Sequence, residues 1–161
     1  MRCTKKKKKI EVFFLMAISQ KDHNETNQEA EMPQEQPRPV ILVVDDEEEI
    51  RSVMRLTLTL AGYDVREAGD GERALESLQR HRPDLILLDV LMPGMDGFEV
   101  CRRVRANTET AQMPVLILSA KTDARSREEG LDAGATKYLT KPISPPQLLQ
   151  HIAEVLEKRA E

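Results

Sequence analysis

The chain has 161 residues, 40% hydrophobic and only 3% aromatic, with two cysteines and a formal charge of -4. That length predicts one domain with a remainder, and the composition provides an aliphatic core. Residues 1–38 hold eight Lys/Arg against six Asp/Glu, which leaves 39–161 at -6 and argues against a direct nucleic-acid role. Cys3 and Cys101 are too few and too far apart for a disulfide framework or a metal site, so a reduced, cytoplasmic setting is expected.

The chain opens with Lys5 to Lys9 followed by an apolar run from Val12 to Ile18, with small residues at Ala17 and Ser19. This has the outline of a secretory signal, but the run is at the lower limit for one and too short to span a bilayer. A weak membrane-surface anchor through the lysines is a second reading, and an unstructured leader is the preferred one. Residues 19–39 are rich in Gln, Glu, Asn and Pro, with too little apolar surface to order themselves. The expected division is therefore a leader over 1–38 and a folded domain over 39–161.

From Val40 the pattern alternates between short apolar runs and helical periodicity. Residues 40–44 form a β-branched strand ending at Asp45 and Asp46. Glu47, Glu48 and Glu49 then open a helix, where negative charge suits the amino end, and Ile50, Val53, Met54, Thr57, Leu58 and Ala61 recur at helical spacing up to Gly62. A more polar strand over 63–68 belongs nearer a sheet edge. Asp70 caps a helix carrying Ala74, Leu75 and Leu78, which ends before Pro83.

The central strand runs over 84–89, and its four consecutive apolar residues suit burial on both faces of a parallel sheet. After a Pro/Gly turn, Asp96 with Glu99 three residues on predicts a capping box and a helix burying Phe98, Cys101 and Val104. A fourth strand over 115–118 ends at Ser119, Ala120 and Lys121. A helix over 125–133, whose weak apolar stripe marks a mobile element, stops at Gly134. The fifth strand, 137–140, leads to Lys141 and Pro142. Ser144, Pro145 and Gln147 then start a last helix with Leu148, Leu149, Ile152, Val155 and Leu156 inward. Five strand and helix units in about 120 residues predict an α/β fold, a parallel sheet covered by helices on both faces.

A parallel sheet gathers its strand ends on one edge, which brings Asp45, Asp46, Asp89, Ser119 and Lys141 together. Carboxylates 4 Å apart repel by roughly 4 kcal/mol per pair at an effective dielectric of 20, so the three acids need a cation. Oxygen donors without His or Cys favour Mg²⁺, and with a lysine and a hydroxyl nearby the group is suited to phosphate oxygens. Each residue alone reads as a turn, a cap or a loop; their convergence on one edge does not.

Val43-Val44-Asp45-Asp46, Leu88-Asp89 with Met92-Pro93-Gly94-Met95-Asp96-Gly97, Ser119-Ala120, and Gly134-Ala135 leading to Tyr138-Leu139-Thr140-Lys141-Pro142 together resemble the receiver domain of two-component response regulators over 40–159. The resemblance implies a flavodoxin-like, doubly wound five-stranded parallel sheet in the order 2-1-3-4-5, with five helices. It implies a phosphorylation-dependent signalling switch in which Asp89 accepts a phosphoryl group from a sensor histidine kinase or a histidine phosphotransfer protein. Mg²⁺ would be held by Asp46, Asp89 and the backbone carbonyl of Leu91, with Asp45 acting largely through a metal-bound water.

Lys141 would neutralise transferring charge, and Ser119 with the Ala120 amide would bind the phosphoryl oxygens. By the same resemblance, Ser119 and Tyr138 form the switch: Tyr138 fills space vacated by Ser119 and changes the face made by helix four, strand five and helix five. That face would carry a downstream protein target or a phosphorylation-dependent homodimer. Leu91 and Lys121 would tune the lifetime of the phosphoryl group. A Mg²⁺-dependent phosphohydrolase of the haloacid dehalogenase type is the rival enzyme reading, but it needs an acid two residues after the nucleophile, where Leu91 stands. The expected protein is thus no enzyme beyond its own phosphorylation and dephosphorylation, and a stand-alone receiver with no output domain after Glu161.

Overall fold

The computed structural model describes residues 37–160, and the leader expected over 1–38 lies almost wholly outside them. The described chain runs β1 (Val40–Val44), α1 (Glu48–Leu60), β2 (Asp64–Ala68), α2 (Gly71–Arg80), β3 (Leu85–Leu88), α3 (Gly97–Ala106), β4 (Val115–Ser119), α4 (Ala124–Asp132), β5 (Lys137–Thr140) and α5 (Pro145–Ala160). All strands are parallel and lie in the order β2-β1-β3-β4-β5, the flavodoxin-like arrangement implied by the sequence. No helix among the described residues is long and apolar enough to cross a membrane.

Side chains alternate across each strand, so the sheet divides two cores. Leu42, Val44, Ile86, Leu88 and Ile117 point to the face covered by Ala74, Phe98, Cys101 and Val104 of α2 and α3. Ile41, Val43, Leu85, Leu87, Leu116 and Leu118 point to the other, where Leu58 of α1 and Leu148, Ile152 and Val155 of α5 cover them. The continuous apolar runs in β1, β3 and β4 follow from this two-sided burial. The polar β2 is an edge strand, paired with β1 alone, and starts at Asp64 where the sequence predicts 63.

Three local predictions need correction. Val53 and Ala61 do not belong to the buried stripe of α1: the inward side is set by Leu58 and Met54 with Ile50 half-buried, Val53 is 62% exposed, and Ala61 lies beyond the last helical residue. At about 100° per residue, Val53 falls far from Leu58 and shares an outward strip with Leu56 and Leu60.

The capping box at α3 is half formed. Asp96 accepts from the Glu99 amide at 2.9 Å, but the Glu99 carboxylate turns to Arg103 at 2.8 Å, because two arginines on the next turn offer charged donors. At α5, Gln147 does reach back to the Ser144 amide at 3.3 Å, while the Ser144 hydroxyl donates to the same Gln147 oxygen at 2.9 Å. Asp70 caps α2 as predicted, accepting from the Arg73 amide at 2.8 Å.

Candidate functional site

β1, β3, β4 and β5 end in Asp45, Asp89, Ser119 and Lys141 along one edge because their registers are nearly level. Val44 pairs with Leu88, Leu88 with Ile117, and Ser119 with Thr140. Backbone bonds tie the strand ends together: the Asp89 amide donates to Val44 at 2.9 Å and the Lys141 amide to Ser119 at 2.8 Å. The residues are thereby placed by the sheet rather than by free loops.

Asp45, Asp46 and Asp89 each present a carboxylate oxygen within 4.8 Å of the others. Asp45 and Asp89 are buried and Asp46 is exposed. The Lys141 ammonium reaches between the buried pair, 3.2 Å from Asp45 and 3.6 Å from Asp89. Asp45 is further fixed by the Glu47 amide, which donates to its carboxylate at 2.9 Å.

Burial pushes the Asp89 carboxyl above the ordinary aspartate range. Lys141 and the amides of Leu91 and Val90 pull it back, while Asp45 pushes the same way as burial. One ammonium cannot compensate three carboxylates. The donors are all hard oxygens, with no His or Cys in the group, and one acid faces solvent; this set fits a small divalent cation such as Mg²⁺.

Ser119 lies at the floor of the edge, fully buried, with its hydroxyl accepting from the Lys121 amide at 3.1 Å; Ala120 beside it is exposed. Leu91, two residues beyond Asp89, is 50% exposed at the rim. Tyr138 is not at the carboxylate group. Its ring is buried under α4 and its hydroxyl donates to the Lys121 carbonyl at 2.9 Å. The aromatic that the sequence reading moves inward is already inside.

Arg51 escapes sequence reasoning altogether, and Gly97 is placed by it only within the motif after Asp89, without its packing role. Arg51 of α1 donates from its guanidinium to the Asp45 carbonyl at 2.8 Å, clamping the turn that carries both acids. Its signal is only a cation on the turn of helix that follows the acids. Gly97 begins α3 directly against Asp89: a Cβ there would lie 2.3 Å from the Asp89 carbonyl oxygen and 2.8 Å from the Val90 Cα. Glycine is what lets the amino end of α3 approach the acceptor's backbone.

Residues 41–153 match the family model described as the response regulator receiver domain, and the chain belongs to that family. It is 44% identical over 118 residues to the response regulator MprA of Mycobacterium leprae, covering 73% of this chain and 51% of that protein. It is 42% identical over 118 residues to the alkaline phosphatase synthesis transcriptional regulatory protein PhoP of Bacillus subtilis, covering 73% of this chain and 48% of PhoP. The chain thus spans about half the length of the curated relatives it matches. Among solved structures, the chemotaxis protein CheY4 of Vibrio cholerae superposes with a TM-score of 0.71 at 39% identity, covering 74% of this chain and 99% of CheY4. A putative response regulator from Chloroflexus aurantiacus gives 0.72 at 38% identity, covering 75% and 99%.

Proposed function

We propose that the folded domain, expected over 39–161, is a phosphorylation-dependent switch that takes its phosphoryl group on Asp89 from a phosphohistidine of a sensor kinase or phosphotransfer protein. The observation that carries this reading is the convergence of Asp45, Asp46 and Asp89 within 4.8 Å, with the Lys141 ammonium inserted between the two buried acids.

In the transfer, an Asp89 carboxylate oxygen bonds to phosphorus as the phosphorus–nitrogen bond of the donor imidazole breaks, leaving an acyl phosphate on Asp89 and a neutral histidine on the donor. Asp46, Asp89 and the Leu91 carbonyl would hold Mg²⁺, with Asp45 adding negative charge beside it. The bound ion supplies positive charge to the transferring oxygens. Lys141, 3.6 Å from Asp89, also offers positive charge there and holds the carboxylate in place. The Ser119 hydroxyl leaves the Lys121 amide to donate to a phosphoryl oxygen, and the Ala120 amide donates to another.

That exchange biases a two-state element. Tyr138 is seated under α4, and its hydroxyl holds the same Lys121 residue whose amide holds Ser119. Phosphorylation draws on this segment and favours one ring position, altering the face of α4, β5 and α5 that a target protein reads.

The test is incubation with Mg²⁺ and acetyl phosphate followed by intact mass measurement. A single phosphoryl adduct on the wild type, absent from Asp89→Asn, is the expected result. No adduct on the wild type, or an undiminished one on the variant, overturns the reading.

A further inference from the structure

α4 is a nine-residue helix, Ala124–Asp132, whose buried positions are Ser126 and Gly130. Gly130 has ordinary helical backbone geometry, so no left-handed conformation requires a glycine there. In mid-helix a glycine weakens the element relative to alanine. What it offers is room. A Cβ at this position would lie 2.6 Å from Cδ2 and 3.0 Å from Cε2 of the Tyr138 ring, and 3.3 Å from Cδ1 of Ile117. The first distance is shorter than any real contact permits, so the ring occupies the volume an alanine methyl would need.

We propose that Gly130 is the seat of Tyr138: it is a positioning residue that sets whether the ring lies inside, and through the ring it sets the hydrogen-bonding of the loop that carries Ser119. The proposal rests on the switch reading above and deepens it. The chain of contacts is short. The ring lies on Gly130, its hydroxyl donates to the Lys121 carbonyl at 2.9 Å, and the Lys121 amide donates to the Ser119 hydroxyl at 3.1 Å.

With a side chain at 130, the element that can yield is the tyrosine side chain. Ile117 is wholly buried in β4, and β4 and β5 are locked in register from Leu116–Lys137 to Ser119–Thr140. The ring has somewhere to go, a groove of about 350 Å³ beside it bordered by Arg127, Thr140, Pro142, Gln147 and His151. Leaving its seat, Tyr138 releases the Lys121 carbonyl and enters the face of α4, β5 and α5. Position 130 therefore couples the packing of α4 to that surface without touching the carboxylates.

The experiment uses the full chain with 3-fluorotyrosine in place of tyrosine. The two tyrosines, Tyr63 and Tyr138, give two fluorine resonances, assigned with Tyr138→Phe. Gly130→Ala is expected to move the Tyr138 resonance to the position of solvent-exposed tyrosine and leave Tyr63 unmoved; an unmoved Tyr138 resonance overturns the proposal. Thermal melting of Gly130→Ala, Tyr138→Ala and the double variant provides a second readout should Gly130→Ala fold poorly. The alanine at 130 is expected to lower the melting temperature when Tyr138 is present and to raise it in the Tyr138→Ala background, where helix propensity favours it and only the 3.3 Å approach to Ile117 Cδ1 opposes it. An equal loss in both backgrounds places the clash elsewhere and overturns the proposal. Acetyl phosphate labelling is run in parallel. An unlabelled wild type refutes the switch reading, whereas a labelled wild type with an unmoved ring in Gly130→Ala refutes the seat alone.

Discussion

Replacing Asp89 by asparagine changes one charge in a group whose geometry allows the effect to be worked out. Asp45 and Asp89 oxygens lie within 4.8 Å, a repulsion of about 3.5 kcal/mol at an effective dielectric of 20. Asp46 adds a smaller amount because it is exposed and screened. Against these, Lys141 at 3.6 Å attracts Asp89 by about 4.6 kcal/mol on the same scale. The pair terms nearly cancel, and the cost of burying an ionised carboxylate decides the outcome, as the raised pKa of Asp89 also indicates.

An asparagine keeps the shape, turns its oxygen to Lys141 and its amide hydrogens to Asp45, and avoids that cost. Without Mg²⁺ at neutral pH, Asp89→Asn is expected to be more stable than the wild type by about 1 kcal/mol, or roughly 3–5 °C for a domain of this size.

The gain depends on pH with a definite sign. Asp89 is raised in the native state, so between the unfolded value of about 3.9 and the native value the folded protein holds a proton that the unfolded chain has released. Wild-type stability falls as pH rises through that interval, and the advantage of asparagine grows with it; below the unfolded value the two proteins converge. Mg²⁺ at a hundred times its dissociation constant stabilises the wild type by about 2.7 kcal/mol and the variant by less, reversing the order. Thermal melts in EDTA and in Mg²⁺ at several pH values provide the assay. A variant that melts below the wild type in EDTA at neutral pH refutes the reasoning, because the attraction to Lys141 would then dominate.

Arg105→Ala is expected to cost about 3 kcal/mol in denaturant unfolding, since the guanidinium donates to the carbonyls of Gly134, Ala111 and Met113 at 2.8, 3.1 and 2.7 Å and ties α3 to the loops that lead into β4 and β5. Gly97→Ala forces a methyl against the Asp89 and Val90 backbone, which cannot rotate away. It is expected to cost about 2–3 kcal/mol and to slow labelling by acetyl phosphate; full stability would refute the close approach. Leu91→Asn replaces a half-exposed apolar side chain at the rim by one that admits water, and is expected to speed loss of the phosphoryl group on the order of threefold to tenfold, about 1 kcal/mol of barrier. An unchanged decay rate, followed by mass, would refute it.

The sheet is legible in the sequence because two-sided burial leaves a pattern few other structures produce: Ile41–Val44, Leu85–Leu88 and Val115–Leu118 are continuous apolar runs, each ending in a polar residue. The convergence of Asp45, Asp46, Asp89, Ser119 and Lys141 follows from that topology with little further information. Helix phase is less legible. In α1, Ile50, Met54 and Leu58 compete with Val53, Leu56 and Leu60 as an apolar stripe, and only packing against β1 and β2 decides that the second set faces outward. Side-chain partners are least legible, as with Glu99, whose carboxylate has a cap amide and two arginines within reach and takes the charged donors.

The weak pattern of α4 has a different origin. Its inward positions are Ser126, which hydrogen-bonds to the capping Asp123, and Gly130, which makes room for Tyr138. The apolar mass that would ordinarily mark an inward face is supplied by β5 instead of by the helix. α4 is therefore held by a cap at one end, by Gly134 in a left-handed turn at the other, and by a tyrosine ring between them. α1 and α5 differ in driving their own apolar side chains, Leu58, Leu148, Ile152 and Val155, against the sheet. The feature that makes α4 hard to read in the sequence is thus the space its inward face leaves for the Tyr138 ring.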